Sequence, residues 1–193
     1  MTYSLREALE TAALILISAL LFIAFFDVND WAFADMEYRE GVNWIFLPAG
    51  FRVVLVLVMG LPASMGIMLG TWFIDREGLQ ASQSSIILLN GVVSGFTPWI
   101  IMKVMEHRGK FGTQLTLLNS TQLLNFTLMY AAGNACLHEL GWWLMDHASV
   151  NLWVDIWPMF IGDAVGALIM LYAFKGLLGM LKPSARTSNS DRF

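Results

Sequence analysis

Two charged side chains lie deep inside long apolar segments, and they are the strongest candidates for chemistry in this sequence. Arg52 follows Trp44 by eight residues, and Asp163 follows Trp153 by ten. At a helical rise of about 1.5 Å per residue, both charges lie about 12 to 15 Å inside their segments. An unpaired charge at that depth of a membrane costs at least about 2.5 kcal/mol. We therefore expect an Arg52–Asp163 ion pair. The alternative is an Arg52 that faces a water-filled cavity or a partner subunit, with Asp163 protonated.

A second group of polar residues could bind a divalent cation. His138-Glu139 and Asp146-His147 supply two imidazoles and two carboxylates within one predicted loop. Their spacing fits no standard site, and the intervening tryptophans are typical of a membrane anchor. The sequence therefore predicts no metal site and no cofactor.

Catalytic motifs of soluble enzymes are missing from the sequence. It has no phosphate-binding glycine loop, no nucleophile elbow, and a single cysteine, Cys136. The 11 lysines and arginines are scattered, which argues against nucleic acid as a partner. We predict that the chain is not an enzyme.

The composition places these polar residues in a membrane protein. Apolar residues make up 57% of the 193-residue chain and charged residues 13%, with a mean hydropathy of +0.62. A soluble domain carries about 25% charged residues. The apolar residues also cluster in long blocks, which is typical of helices that cross a bilayer.

Six apolar blocks predict an all-α, polytopic bundle of about six transmembrane helices. The second and third are short, and they could instead form one broken re-entrant hairpin. Residues 1–181 form the predicted membrane domain, and residues 182–193 a disordered cytoplasmic tail. The blocks span residues 11–26, 44–60, 61–74, 85–102, 115–136 and 153–178.

The distribution of positive charge predicts the orientation. With six spans, Arg39 and Arg76 lie on one side and eight basic residues on the other, which is cytoplasmic by the positive-inside rule. Both termini are then cytoplasmic in a bacterial inner membrane, and the acidic loop 27–40 and the loop 138–147 face outward. The first block is interpreted as a retained span. The eight basic residues are Arg6, Lys103, Arg108, Lys110, Lys175, Lys182, Arg186 and Arg192.

Small residues predict how the helices pack. Glycines four residues apart lie on one helix face and let a second backbone approach closely. Polar residues at 119–122 and 125 in the fifth span either bond to neighbouring helices or line a pocket. The glycine pairs are Gly66 with Gly70, Gly91 with Gly95, and Gly162 with Gly166.

Two motifs in these spans resemble a known family. Leu47-Pro48-Ala49-Gly50 opens the second span, which ends in a glycine-proline break, and Gly162-Asp163-Ala164-Val165-Gly166 lies in the last span. The chain resembles the first-described type of bacterial membrane-associated sensor domain, which precedes histidine kinases and diguanylate cyclases. Phe51-Arg52 departs from that family, where these positions are generally apolar. The chain ends about 15 residues after its last span.

The resemblance implies a stand-alone, non-enzymatic sensory or partner-binding module. Its partners would be the lipid bilayer and a protein that supplies the output, and a homo-oligomer is compatible with it. An alternative is an uptake component that resembles the substrate-binding subunit of energy-coupling-factor transporters, and a third is a scaffold subunit. Pro48 would break the helix ladder and leave backbone groups beside a cavity. The predicted ligand site comprises Pro48, Gly50, Arg52, Trp157 and Asp163.

Overall fold

The computed structural model describes residues 4–39, 42–79, 84–109, 119–145 and 151–181. These residues form seven α-helices and one small antiparallel sheet. The helices are α1 (Leu5–Phe33), α2 (Leu47–Met59), α3 (Leu61–Ile74), α4 (Arg76–Leu79), α5 (Ser84–His107), α6 (Ser120–Leu144) and α7 (Leu152–Leu181). The sheet is a hairpin of β1 (Glu37–Arg39) and β2 (Val42–Asn43), which a short 3-10 turn, Ala34–Met36, joins to α1.

The all-α prediction is confirmed. Three helical stretches of the described chain are long and apolar enough to cross a membrane, namely Leu5–Met36, Ser84–His107 and Leu152–Phe174. Helices α2 and α3 are apolar but shorter. Helix α6 has 25 residues, and polar side chains along its length lower its mean hydropathy.

Local sequence signals set several helix boundaries. Ser4 and Glu7 form a capping box at the start of α1, and Asn119 and Gln122 form another at the start of α6. Residues 120–122 of the predicted fifth span form the first turn of α6, where Asn119 and Gln122 bond to otherwise free backbone N–H groups. The predicted start of that span, residues 115–118, lies outside the described residues.

The boundary between α2 and α3 is a single glycine. Gly60 has a φ of 64°, a left-handed conformation that favours glycine, and it ends α2 and precedes α3. Pro48 and Pro62 each lie in the first turn of a helix, where the missing N–H has no intrahelical partner to lose. The expectation that Pro48 breaks the second span is wrong, because the helix begins there. The predicted third span, residues 61–74, coincides with α3.

Two predicted loops are partly helical. Asp27 and Asp30 belong to α1, and His138 and Glu139 belong to α6. An apolar block marks only the part of a helix that is rich in apolar residues, and the hydrogen-bonded ladder continues through polar residues that find partners. Asn29 illustrates this in α1: it is buried, and its Oδ1 accepts the Leu47 backbone N–H at 2.9 Å.

Helix α2 lies at the centre of the bundle. The helices pack in the order α1, α3, α5, α6 and α7, and α2 contacts each of them. Residues 48–53 of α2 are buried without interruption. Any polar residue on α2 must therefore find its partners inside the protein.

Candidate functional site: a buried polar centre on helix α6

A polar stripe runs along the buried face of α6. Tyr130, Asn134, His138 and Trp142 are four residues apart, so they lie above one another on one side of the helix. All four are buried, and each bonds to another part of the chain. The stripe places polar atoms over about 18 Å of the bundle interior, at about 1.5 Å per residue.

Arg52 of α2 contacts the first residue of this stripe. Its side chain is buried, with 5% of the residue exposed, and Nη1 donates to the Tyr130 hydroxyl at 3.4 Å. The guanidinium carbon lies 5.1 Å from the centre of the Phe22 ring and 5.2 Å from that of Phe46. Two aromatic faces therefore stabilise the charge. Nε has no hydrogen-bond partner among the residues that the structure describes.

Asp163 of α7 contacts the second residue of the stripe. It is 2% exposed, and its Oδ2 accepts from the Asn134 side-chain amide at 2.6 Å. The expected Arg52–Asp163 ion pair is wrong as a direct contact: the ion pairs within 4.0 Å in the described residues do not include it. The two charges interact only through space, and each bonds instead to a neutral side chain of α6. We call Arg52, Tyr130, Asn134 and Asp163 the polar centre.

The stripe continues through His138 and Trp142. The His138 Nδ1 lies 3.0 Å from the Asn134 carbonyl oxygen, which can only accept, so Nδ1 carries a proton. Nε2 lies 3.4 Å from the Ser94 hydroxyl of α5. The Trp142 indole N–H donates to Asn90 Oδ1 at 2.7 Å. These bonds join α6 to α5.

A cluster of charged residues lies at the end of the bundle where Trp142 is found. Arg39, in β1, bonds to Glu139 Oε1 of α6 at 2.5 Å and to Asp155 Oδ2 of α7 at 2.7 Å. Its guanidinium carbon lies 5.1 Å from the centre of the Trp142 ring. We call Arg39, Glu139, Asp155 and Trp142 the Arg39 cluster. Tyr38 also donates to Asp155 at 3.2 Å, and this bond raises the pKa of the Tyr38 phenol.

The segment between β2 and α2 is seated against two glycines of α7. The Phe46 N–H donates to the Gly162 carbonyl at 3.1 Å. A Cβ atom on Gly162 would collide with the Asn43 carbonyl oxygen, and one on Gly166 would collide with that of Phe46. Both glycines therefore face a non-helical segment instead of a helix, and they bring its backbone beside the polar centre.

The predicted site residues divide into two groups. Pro48, Gly50, Arg52 and Asp163 are buried where α2 meets α6 and α7, and a Cβ on Gly50 would lie 2.5 Å from that of Met170. Trp157 is 59% exposed and has an edge contact with Phe160 on its own helix. Trp157 therefore lies outside the polar centre.

The remaining predicted packing glycines lie against neighbouring helices. A Cβ on Gly66 would lie 2.5 Å from the Ile15 carbonyl oxygen, and one on Gly70 would lie 3.1 Å from the Phe22 ring, both in α1. A Cβ on Gly91 would overlap the Trp72 ring, and one on Gly95 would overlap a backbone oxygen of α3.

Tyr130, Asn134 and Arg39 are the residues that sequence reasoning missed. The spacing of four between Tyr130, Asn134, His138 and Trp142 was a usable signal, because it places four polar side chains on one helix face. Arg39 had no comparable signal, since its partners lie 100 and 116 residues away. Asp146 and His147 of the predicted cation site lie outside the described residues. Within the described ranges, no group of three metal-binding side chains is present.

A comparison of the chain with protein-family models, with curated proteins and with solved structures finds no match in any of the three. The polar centre and the chemistry of its residues are therefore the basis for a function.

Proposed function

We propose that this chain is a non-enzymatic sensory or partner-binding module of a membrane, with the polar centre as its binding site. The observation that carries the proposal is the buried Arg52, which has no ion pair and an unsatisfied Nε among the residues that the structure describes. A buried guanidinium without a paired anion lowers stability. Ionisable groups inside membrane helices are expensive, and they generally mark sites of function.

The arrangement favours binding over catalysis. A guanidinium offers a rigid fork of donors, and a carboxylate offers acceptors, so the centre can orient a polar molecule. Arg52 cannot act as a base, because its charge is permanent. Tyr130 and Asn134 hold the two charged groups instead of activating a nucleophile.

We further propose six spans, with α1, α2, α3, α5, α6 and α7 crossing the bilayer in alternating directions. The bond from the Trp72 indole to the Leu88 carbonyl joins the end of α3 to the start of α5, and Trp142 joins the end of α6 to the start of α5. The Arg39 cluster then faces outward. Arg6, Lys103 and Arg108 lie at the opposite end, which the positive-inside rule assigns to the cytoplasm.

The contact between the two motifs supports a sensory role. The stretches 47–50 and 162–166, which carry the resemblance to the sensor domain, meet where Gly50 approaches the Gly166 carbonyl oxygen, 2.7 Å from an added Cβ. A ligand at Arg52 and Asp163 would act at the same α2–α7 interface. In the proposed mechanism, that interface transmits occupancy of the site to a protein partner.

The test is purification of the full chain in mild detergent from its native host, with identification of bound proteins. We expect a signalling partner whose activity changes in Arg52→Gln and Asp163→Asn, and stays at the wild-type level in the exposed Arg76→Gln. Accumulation of a solute in cells, together with a bound ATPase module, would favour the transporter alternative. A partner with equal activity in all variants would contradict the sensory proposal.

A further inference from the structure

Two opposite charges in the polar centre are held apart by neutral residues. Arg52 bonds to Tyr130, and Asp163 bonds to Asn134, one helical turn further along α6. Residues four apart on a helix have Cβ atoms about 6 Å apart. The polar centre therefore contains a buried cation, Arg52, and a buried anion, Asp163, that lie near each other without a direct ion pair.

Hydrogen-bonding capacity remains free in this place. The Nε of Arg52 has no partner, and neither does the Oδ1 of Asn134, within the part of the chain that the structure describes. The first is a charged donor and the second a neutral acceptor. A molecule that satisfied both would need an acceptor and a donor within a few ångströms of each other.

The net charge of the polar centre indicates whether its ligand is an anion, a cation or a molecule with both charges. With Asp163 ionised, the centre carries one positive and one negative charge. A simple anion bound to Arg52 would leave one uncompensated negative charge, and a simple cation at Asp163 one uncompensated positive charge. Either excess charge would be costly in the interior of a membrane protein. A molecule with one charge of each sign adds no net charge and pairs both groups.

We propose that the polar centre binds an α-amino acid in its zwitterionic form. Its carboxylate accepts from the Arg52 guanidinium, and its ammonium group donates to Asp163 and to Asn134 Oδ1. Arg52 suits the carboxylate because the planar guanidinium can bond to both of its oxygens. This inference rests on the proposed function, for which it names the ligand class.

The test is direct binding to the purified full chain in detergent at pH 7, read by saturation-transfer NMR and by the shift of the thermal unfolding midpoint. The probes are the common α-amino acids, with acetate and methylammonium as single-charge controls at equal ionic strength. We expect at least one amino acid to bind and to raise the midpoint. Arg52→Gln and Asp163→Asn should each weaken that binding by at least about tenfold, as loss of a charged hydrogen bond predicts. Arg76→Gln should bind as wild type.

A measurement on the wild-type protein keeps the test independent of how the variants fold. The N-trimethylated form of the amino acid that binds keeps both charges but has no N–H to donate. We expect it to bind at least about tenfold more weakly. The inference is overturned if no amino acid binds, if acetate binds as well as the amino acids, or if trimethylation has no effect.

The outcomes separate the two proposals. Amino-acid binding without any change in a partner would retain the ligand class and remove the sensory role. A partner response that depends on Arg52, without amino-acid binding, would retain the sensory role and remove the ligand class.

Discussion

Arg39 joins three parts of the chain through one guanidinium group. It bonds to Glu139, which is fully buried, and to Asp155, whose side chain is 8% exposed. Removing the arginine would leave both carboxylates without their ion pairs. We therefore expect Arg39→Ala to lower the free energy of unfolding by about 3 to 5 kcal/mol, as loss of one partner from a buried pair does. Denaturation of the purified protein in mild detergent measures this.

Arg76→Ala is the matched control for Arg39→Ala. Arg76 bonds to the Phe73 carbonyl at 3.0 Å and stacks on the Phe73 ring, and it has no carboxylate in either contact. Its loss should change stability by about 0.5 kcal/mol or less, as is usual for surface residues. Equal effects of the two substitutions would show that the Arg39 cluster contributes nothing specific.

Replacing Arg52 should affect the free energy of unfolding differently from replacing Arg39. In the described part of the chain, no carboxylate lies within 4.0 Å of Arg52, so replacing it removes a desolvated charge without leaving a directly bonded carboxylate unpaired. We expect Arg52→Met to leave the free energy of unfolding within about 1 kcal/mol of wild type, or to raise it. The same denaturation experiment gives the value. A loss as large as that of Arg39→Ala would contradict this expectation and would mean that Arg52 stabilises the fold.

At the scale of elements, α7 depends on two glycines that face the segment before α2. A methyl group on Gly166 would collide with the Phe46 carbonyl oxygen, and that segment cannot retreat without breaking the bond from Phe46 to Gly162. We expect Gly166→Ala to lower the free energy of unfolding by about 1 to 3 kcal/mol, the usual cost of overpacking.

Gly176→Ala tests the same substitution in the same helix where space is open. Among the atoms that the structure describes, none lies within 4 Å of a Cβ added at Gly176. Alanine favours a helix over glycine by about 1 kcal/mol, so this variant should be as stable as wild type or more stable. A loss in both variants would indicate a general effect of alanine in α7 and would contradict the close approach at Gly166.

Several elements follow from local sequence signals, and the site follows only in part. The limits of α3 lie at the Gly60-Leu61-Pro62 break and before Asp75, so they are visible in the sequence. Burial of Arg52 and Asp163 at similar depth was also predictable from hydropathy. Their separate partners were not, because hydropathy does not specify which face of α6 meets α2 and α7.

At the scale of the whole molecule, the proposed six-span topology predicts which residues lie on the same side of the membrane. Asp35 is exposed near the Arg39 cluster, and Arg108 is exposed after the opposite end of α5. In a Cys136→Ala background, a membrane-impermeant maleimide should label Asp35→Cys in intact bacterial cells. It should label Arg108→Cys only after permeabilisation. Labelling of both in intact cells would contradict the proposed six-span topology.

The Arg39 cluster also has a consequence for biosynthesis. Arg39 is separated from Asp155 by 116 residues, and the start of α2 is bonded to Gly162 of the last helix. At about 5 to 20 residues per second, translation delivers Asp155 about 6 to 23 s after Arg39. During that interval Arg39 lacks Asp155, and for the first 100 residues it also lacks Glu139, while the backbone before α2 lacks its support from α7. The helices of the described chain can therefore complete their packing only after α7 has been synthesised. A ribosome that stalls before α7 leaves an intermediate in which the central helix lacks its packing against α7.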